Sequence, residues 1–190
     1  MKIQLRGRAL FQPLVDWMAR QGVHPNVLTV AGLFLMLLPT WLIVQGHFFW
    51  GAIALSAVIT TDFLDGQLAR TSGKTTKFGA FLDSTLDRIS EFLLIGGYLL
   101  YFRGDPRTQV WLYLFLLCSI LVSYVRARGE GLGVSVQVGP MNRPGRLFTL
   151  VVLTLLGPKV FALLLPYVTF LVAFTVVRRS TELYNSLKNR

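Results

Sequence analysis

The chain has 190 residues, 53% hydrophobic and 15% charged, against roughly 25% charged in an ordinary soluble domain. A mean hydropathy of +0.56 together with a net charge of +10 excludes soluble globular and disordered chains and fits apolar spans separated by basic loops. The single cysteine, Cys118, excludes an intramolecular disulfide and hence a stapled secreted scaffold.

Residues 1–22 interleave Lys2, Arg6, Arg8, Asp16 and Arg20 with apolar and aromatic side chains such as Leu10, Phe11, Leu14 and Trp17. The segment has neither the apolar run nor the cleavage site of a signal peptide, and reads as an amphipathic helix along the cytoplasmic interface. His24-Pro25 breaks it. Charge-free stretches then predict six transmembrane helices over about residues 27–45, 48–72, 78–102, 108–128, 142–158 and 160–184, because roughly 20 helical residues cross ~30 Å of hydrocarbon. The third is apolar only in its second half, and the fifth is short, Leu147 to Pro158, so it draws on Met141 to Arg146. Gly46, Gly73, Gly104 and Gly157 mark four of the turns. The expected fold is an all-α integral membrane protein, a single domain over residues 1–190 with an interfacial helix at 1–22 and a six-helix bundle at 27–184.

With loops assigned alternately to the two membrane faces, 16 of the 19 basic residues fall on one side, and only Arg103, Arg107 and Lys159 on the other. The positive-inside rule therefore places both termini in the cytoplasm. The basic excess is accounted for by these loops, and no nucleic-acid partner is expected.

Only nine residues are acidic, and Asp62, Asp65, Asp83 and Asp87 lie within 26 positions at the cytoplasmic ends of spans two and three. Carboxylates beside apolar surroundings cost roughly 2.5 to 3.5 kcal/mol each on insertion scales, so such a cluster requires partners. Asp62 and Asp65 are i, i+3 and Asp83 and Asp87 are i, i+4, placing each pair on one helix face, about 60° and 40° apart. Two antiparallel helices would bring all four together. With no His or Cys nearby, the all-oxygen donor set suits Mg²⁺ or Mn²⁺ rather than zinc. Four carboxylates on two helices can hold two ions roughly 3.5 to 4 Å apart, the arrangement that clamps phosphoryl displacement. Gly66 and Gly79 leave room for a bulky anion, and Arg70 can meet its charge.

The string Asp62-x-x-Asp65-Gly66-x-x-Ala69-Arg70, eight residues, Gly79-x-x-x-Asp83-x-x-x-Asp87 resembles the signature of the CDP-alcohol phosphotransferase family at every defined position. The resemblance implies metal-dependent transfer of a substituted phosphate from a CDP-linked donor, CDP-diacylglycerol, to an alcohol, with release of CMP. It also implies a homodimer among membrane lipids, with an active site open to the cytoplasm at the cell membrane. Carried onto this chain, Asp62, Asp65, Asp83 and Asp87 would hold the metal and Asp87 would be the general base. Gly66, Ala69, Arg70 and Gly79 would line the donor nucleotide site, joined by Asn26 and Thr29 from the Pro25-Asn26-Val27-Leu28-Thr29 run.

A second constellation is basic: Ser123 to Arg128 closing span four, Asn142-Arg143-Pro144-Gly145-Arg146 opening span five, and Arg178-Arg179 late in span six. An acceptor that carries its own phosphate needs such a pocket. Ser123, Arg126, Arg143, Arg146 and Arg179 are similar to the phosphatidylinositol phosphate synthase branch of the family, whose acceptor is inositol phosphate. Asn142 and Gly145 depart from that branch, which usually has acidic residues there. Glycerol 3-phosphate is the alternative acceptor. Arg128 and Arg178 read as topology determinants, Glu91 as a partner for Arg88 or for a neighbouring helix, and His24 and His47 as interfacial residues. A transporter would want acids near mid-span and an internal repeat, neither of which is seen.

Overall fold

The computed structural model describes residues 12–71, 73 and 75–189, except the side chains of Phe63 and Asp65. Eight helices and no strand occur among the described residues. The first eleven residues of the expected interfacial helix lie outside them. Residues 12–20 form the helical segment α1, whose Val15 and Met18 are buried against Leu64 and Leu68. His24 accepts a hydrogen bond from the Asn26 amide and caps α2, Pro25–Leu35. The expected first span is in fact two helices, α2 and α3, Leu37–Val44, separated at Met36. Pro39 explains the break: it has no N–H to give the Leu35 carbonyl.

Next come α4, Phe48–Thr71, and α5, Lys77–Tyr101, the latter capped by Thr76, whose side chain accepts from the Gly79 amide. Asp105 caps α6, Pro106–Gly131, and the hydrogen bonds it accepts from Thr108 hold its carboxyl below the ordinary carboxylate range. Asn142 caps α7, Arg143–Leu155, through the Gly145 amide. Gly157, at φ +89°, turns the chain into α8, Pro158–Lys188. A side chain at that φ would be strained.

Among the described residues, four helical stretches are long and apolar enough to cross a membrane: Pro25–Val44, Phe48–Thr71, Pro106–Gly131 and Pro158–Lys188. α5 is as long as α4 but carries Asp83, Asp87, Arg88 and Glu91, and α7 has only 13 residues. Apolar side chains such as Phe34, Trp41, Phe92, Leu163 and Phe170 face outward, as expected where the surroundings are lipid rather than water. α6 packs along α8, α4 against α2, α3 and α7, and α5 against α2, α3 and α6.

The bundle has two unlike ends. At one, Phe48, Tyr98, Phe102 and Phe161 interlock, with Tyr98 and Phe161 stacked at 4.4 Å. Below them the Tyr98 hydroxyl is hydrogen-bonded to Thr154. The aspartates lie at the other end, about 21 Å along α4 from Phe48. This separation puts the rigid, well-packed part of the bundle away from the polar part and leaves the latter open to a ligand.

Candidate active site

The polar end is built from three helices. Asp62 lies on α4, Asp83 and Asp87 on α5, and Arg143 is the first residue of α7. One guanidinium nitrogen, Arg143 Nη2, donates to Asp62 Oδ2 at 2.8 Å and forms an ion pair with Asp87 Oδ1 at 2.7 Å. Asp87 Oδ2 stands 3.7 Å from Arg88. Asp62 reaches this position because Gly32 of α2 lies opposite it: a Cβ there would stand 3.3 Å from Asp62 Oδ1. Asp83 is within electrostatic reach of Asp62, Arg88 and Arg143.

Beside the acids opens a cleft of about 160 Å³. Its walls include Asn26 and Thr29 from α2, Gly66, Ala69 and Arg70 from α4, and Gly79 and Asp83 from α5, together with Thr75 and Thr76 of the connecting turn. Six residues chosen from sequence as donor contacts thus share one opening. Gly79 makes the space: a Cβ there would meet Asn26 Oδ1 and Thr76 Oγ1 at 3.1 Å. Arg70 extends its guanidinium over the bare face of Gly66, 3.6 Å from where a Cβ would stand.

The expectation that four carboxylates converge receives a narrower geometry. Asp62 and Asp87 converge on one cation, which is Arg143, and no three His, Cys, Asp or Glu side chains gather around a metal-sized space among the described residues. The side chain of Asp65 is not among these. The donor chemistry still fits a divalent ion, because carboxylates from two helices already bracket a positive charge, and oxygen is the ligand that hard cations take.

The basic residues do not all turn into an open pocket. Arg146 is fully buried and makes a bidentate pair with Glu91, Nε to Oε1 and Nη2 to Oε2 at 2.9 Å each, while Nη1 donates to the Met141 carbonyl. Arg179, also buried, donates to the carbonyls of Val122 at 2.8 Å and Val138 at 3.0 Å, tying the 132–142 connection to α6 and α8. Arg126 is exposed and paired with Glu130 at 2.8 Å, one turn along from half-buried Ser123. Arg179 nevertheless lies within electrostatic reach of both Arg126 and Arg146. Burial accounts for the internal partners: a guanidinium out of water must spend its donors on nearby acceptors.

Two residues that matter here were not singled out for the site. Gly32 hides in an apolar run, where nothing marks it as facing a carboxylate. Glu91 continues the Asp83, Asp87 spacing by another i+4 step and is matched by Arg143 and Arg146 at i, i+3 on α7. Of the two partners expected for Glu91, the neighbouring helix is the one realised.

The fold and the site together define a multi-pass α-helical membrane protein with an anion-sized cleft beside an acidic pair. Residues 22–178 match the family model for CDP-alcohol phosphatidyltransferase, and the chain belongs to that family. It is 36% identical over 140 residues to the phosphatidylinositol phosphate synthase of Streptomyces avermitilis, covering 71% of this chain and 57% of that protein, so it spans little more than half the length of this relative. Identity to the phosphatidylinositol phosphate synthase of Corynebacterium glutamicum is 35% over 170 residues, covering 84% of this chain and 74% of the relative. The crystal structure of Mycobacterium tuberculosis phosphatidylinositol phosphate synthase with CDP-DAG bound superposes with a TM-score of 0.84 at 27% identity, over 90% of this chain and 92% of that one. The same enzyme in complex with manganese and citrate also superposes at 0.84, over 90% and 88% of the two chains.

Proposed function

We propose that this chain transfers the phosphatidyl group of CDP-diacylglycerol to a hydroxyl of inositol phosphate and releases CMP. The cleft carries this reading: Asn26, Thr29, Gly66, Ala69, Arg70 and Gly79 line one opening, and Asp83 stands in its wall. The names of the relatives and the CDP-DAG held by the structural neighbour supply the donor and acceptor classes.

Arg70 meets the donor diphosphate over Gly66, while Gly79 lets the nucleotide lie against the α5 backbone. Two divalent ions, Mg²⁺ or Mn²⁺, held by Asp62, Asp65, Asp83 and Asp87 would supply charge neutralisation on the diphosphate and on departing CMP. Asp87 takes the proton of the acceptor hydroxyl; the hydroxyl oxygen bonds to the lipid-side phosphorus as the bond from that phosphorus to the CMP oxygen breaks. Ser123, Arg126, Arg143, Arg146 and Arg179 form the acceptor-phosphate region. Arg126 and Arg143 offer contact from its accessible side, and Arg146 and Arg179 add positive field from behind.

In this reading α2–α3, α4, α5, α6, α7 and α8 make six spans and α1 continues an interfacial helix. The chain is one domain, works as a homodimer, and keeps both termini and the active site on the cytoplasmic face of the cell membrane. The deciding experiment is CMP release from CDP-diacylglycerol by the purified protein with Mg²⁺, offering inositol phosphate, glycerol 3-phosphate and unphosphorylated inositol in turn. Release with inositol phosphate is expected. Preference for glycerol 3-phosphate would overturn the acceptor, and no release with any alcohol would overturn the reaction.

A further inference from the structure

We propose that Arg143 is an exchangeable counter-ion of the aspartate pair, holding Asp62 and Asp87 together until a divalent cation displaces it. This rests on the metal site proposed above and concerns how that site is kept before it is loaded.

The geometry is that of a cation seated between two helices. A single nitrogen, Nη2, serves Asp62 at 2.8 Å and Asp87 at 2.7 Å, while Nε of the same side chain is buried and makes no hydrogen bond among the described residues. A guanidinium at full strength engages a carboxylate through two parallel N–H bonds. Arg146 does so with Glu91 one turn further along α7. The two arginines therefore differ in kind. Arg146 is locked by three donors, two on Glu91 and one on the Met141 carbonyl, and is sealed from solvent, whereas Arg143 pairs with two acids from two helices through one nitrogen and keeps a fifth of its side chain exposed.

The first anchors α7; the second is free to swing on its long stem without moving the helix. Without a cation between them, Asp62 and Asp87 would repel each other, and the first cation within tethered reach is Arg143. A divalent ion brings twice the charge and takes several oxygens at once, so it can outcompete a bridge made through one nitrogen. The consequence is competition: Arg143 weakens the apparent affinity for metal while keeping the carboxylates pre-arranged.

The test is Mn²⁺ binding to the detergent-solubilised full chain, followed by the loss of the free-ion electron paramagnetic resonance signal. Arg143→Gln removes the competitor, and the Mn²⁺ Kd should fall by about tenfold or more, the value of one charge-assisted contact. Arg143→Lys keeps a charge but loses the fork, and its Kd should fall between those of the other two. Circular dichroism of each variant reports the fold, so that if Arg143→Gln does not fold, the Lys variant carries the comparison. A Kd in both variants equal to or weaker than that of the wild type overturns the exchange. Asp62→Asn and Asp87→Asn separate the two readings. If they abolish binding while the Arg143 variants change nothing, only the exchange fails; if binding survives them, or if the wild type binds no Mn²⁺, the metal site fails and the exchange with it.

Discussion

Asp87 is held from both sides, Oδ1 by Arg143 and Oδ2 near Arg88, one turn along α5 from Asp83 in the cleft wall. If it is the base, Asp87→Asn keeps the shape of the side chain but cannot take a proton. CMP release should drop by ~10²- to 10⁴-fold, with CDP-lipid binding, measured by displacement of a fluorescent analogue, much less affected. Retention of more than a tenth of the wild-type rate would remove Asp87 from that role. Gly79 makes a different kind of contribution, since its value lies in the space it leaves beside Asn26 and Thr76. Gly79→Val would fill that space and should raise the donor KM by about tenfold or more while leaving the acceptor KM nearly unchanged. Steady-state kinetics with each substrate varied in turn distinguishes the two.

At the scale of elements, α5 and α7 are joined by complementary charges: Asp87 and Glu91 on one face four and eight residues after Asp83, and Arg143 and Arg146 three apart on the other helix. The inner pair is the structural one. With side-chain exposures of 0% for Arg146 and 5% for Glu91, removing one partner leaves an uncompensated charge in a medium that cannot solvate it. Glu91→Ala should therefore destabilise the fold by about 3 to 5 kcal/mol, seen as a large drop in the midpoint of thermal unfolding in detergent. Replacing both, Glu91→Leu with Arg146→Met, should recover most of that loss, because two apolar groups of similar volume fill the gap without a charge. Failure of the double variant to recover would mean that the pair contributes more than neutralisation. Asn142 and Gly145 have a local reason of their own: the Asn142 side chain accepts from the Gly145 amide, and a Cβ at Gly145 would crowd that oxygen at 3.1 Å. The departure from acidic residues at these two positions is thus also a helix cap.

For the whole molecule, the unlike ends explain why one small bundle can be both stable and reactive. Aromatic packing around Phe161 fixes one end, and the aspartates with their arginine partner Arg143 lie at the other. Two predictions belong to this scale. Chelation should abolish CMP release, and Mg²⁺ or Mn²⁺ should restore it; full turnover in excess chelator would mean that the aspartates serve another purpose. In cells, on a Cys118→Ser background, a cysteine at Lys188 should be shielded from a membrane-impermeant maleimide and one at Arg103 should be labelled. The reverse pattern would invert the proposed orientation.

Much of this protein was written locally. Helix positions follow from apolar run length and from capping residues such as Asp105 and Gly157, which act within a few residues of themselves. The Asp62 to Asp87 string has fixed spacing on two helices, so it pointed to the family and to residues that share one cleft without coordinates. What the sequence could not contain was the pairing between helices distant in the chain. Arg143 and Arg146 are one turn apart and chemically identical, yet one bridges Asp62 and Asp87 while the other is sealed against Glu91. Periodicity says which face of a helix a residue occupies. Only the packing of α4, α5 and α7 decides which acid that face meets and whether water can reach the pair, and burial then determines whether a charged residue contacts a ligand or holds the fold together.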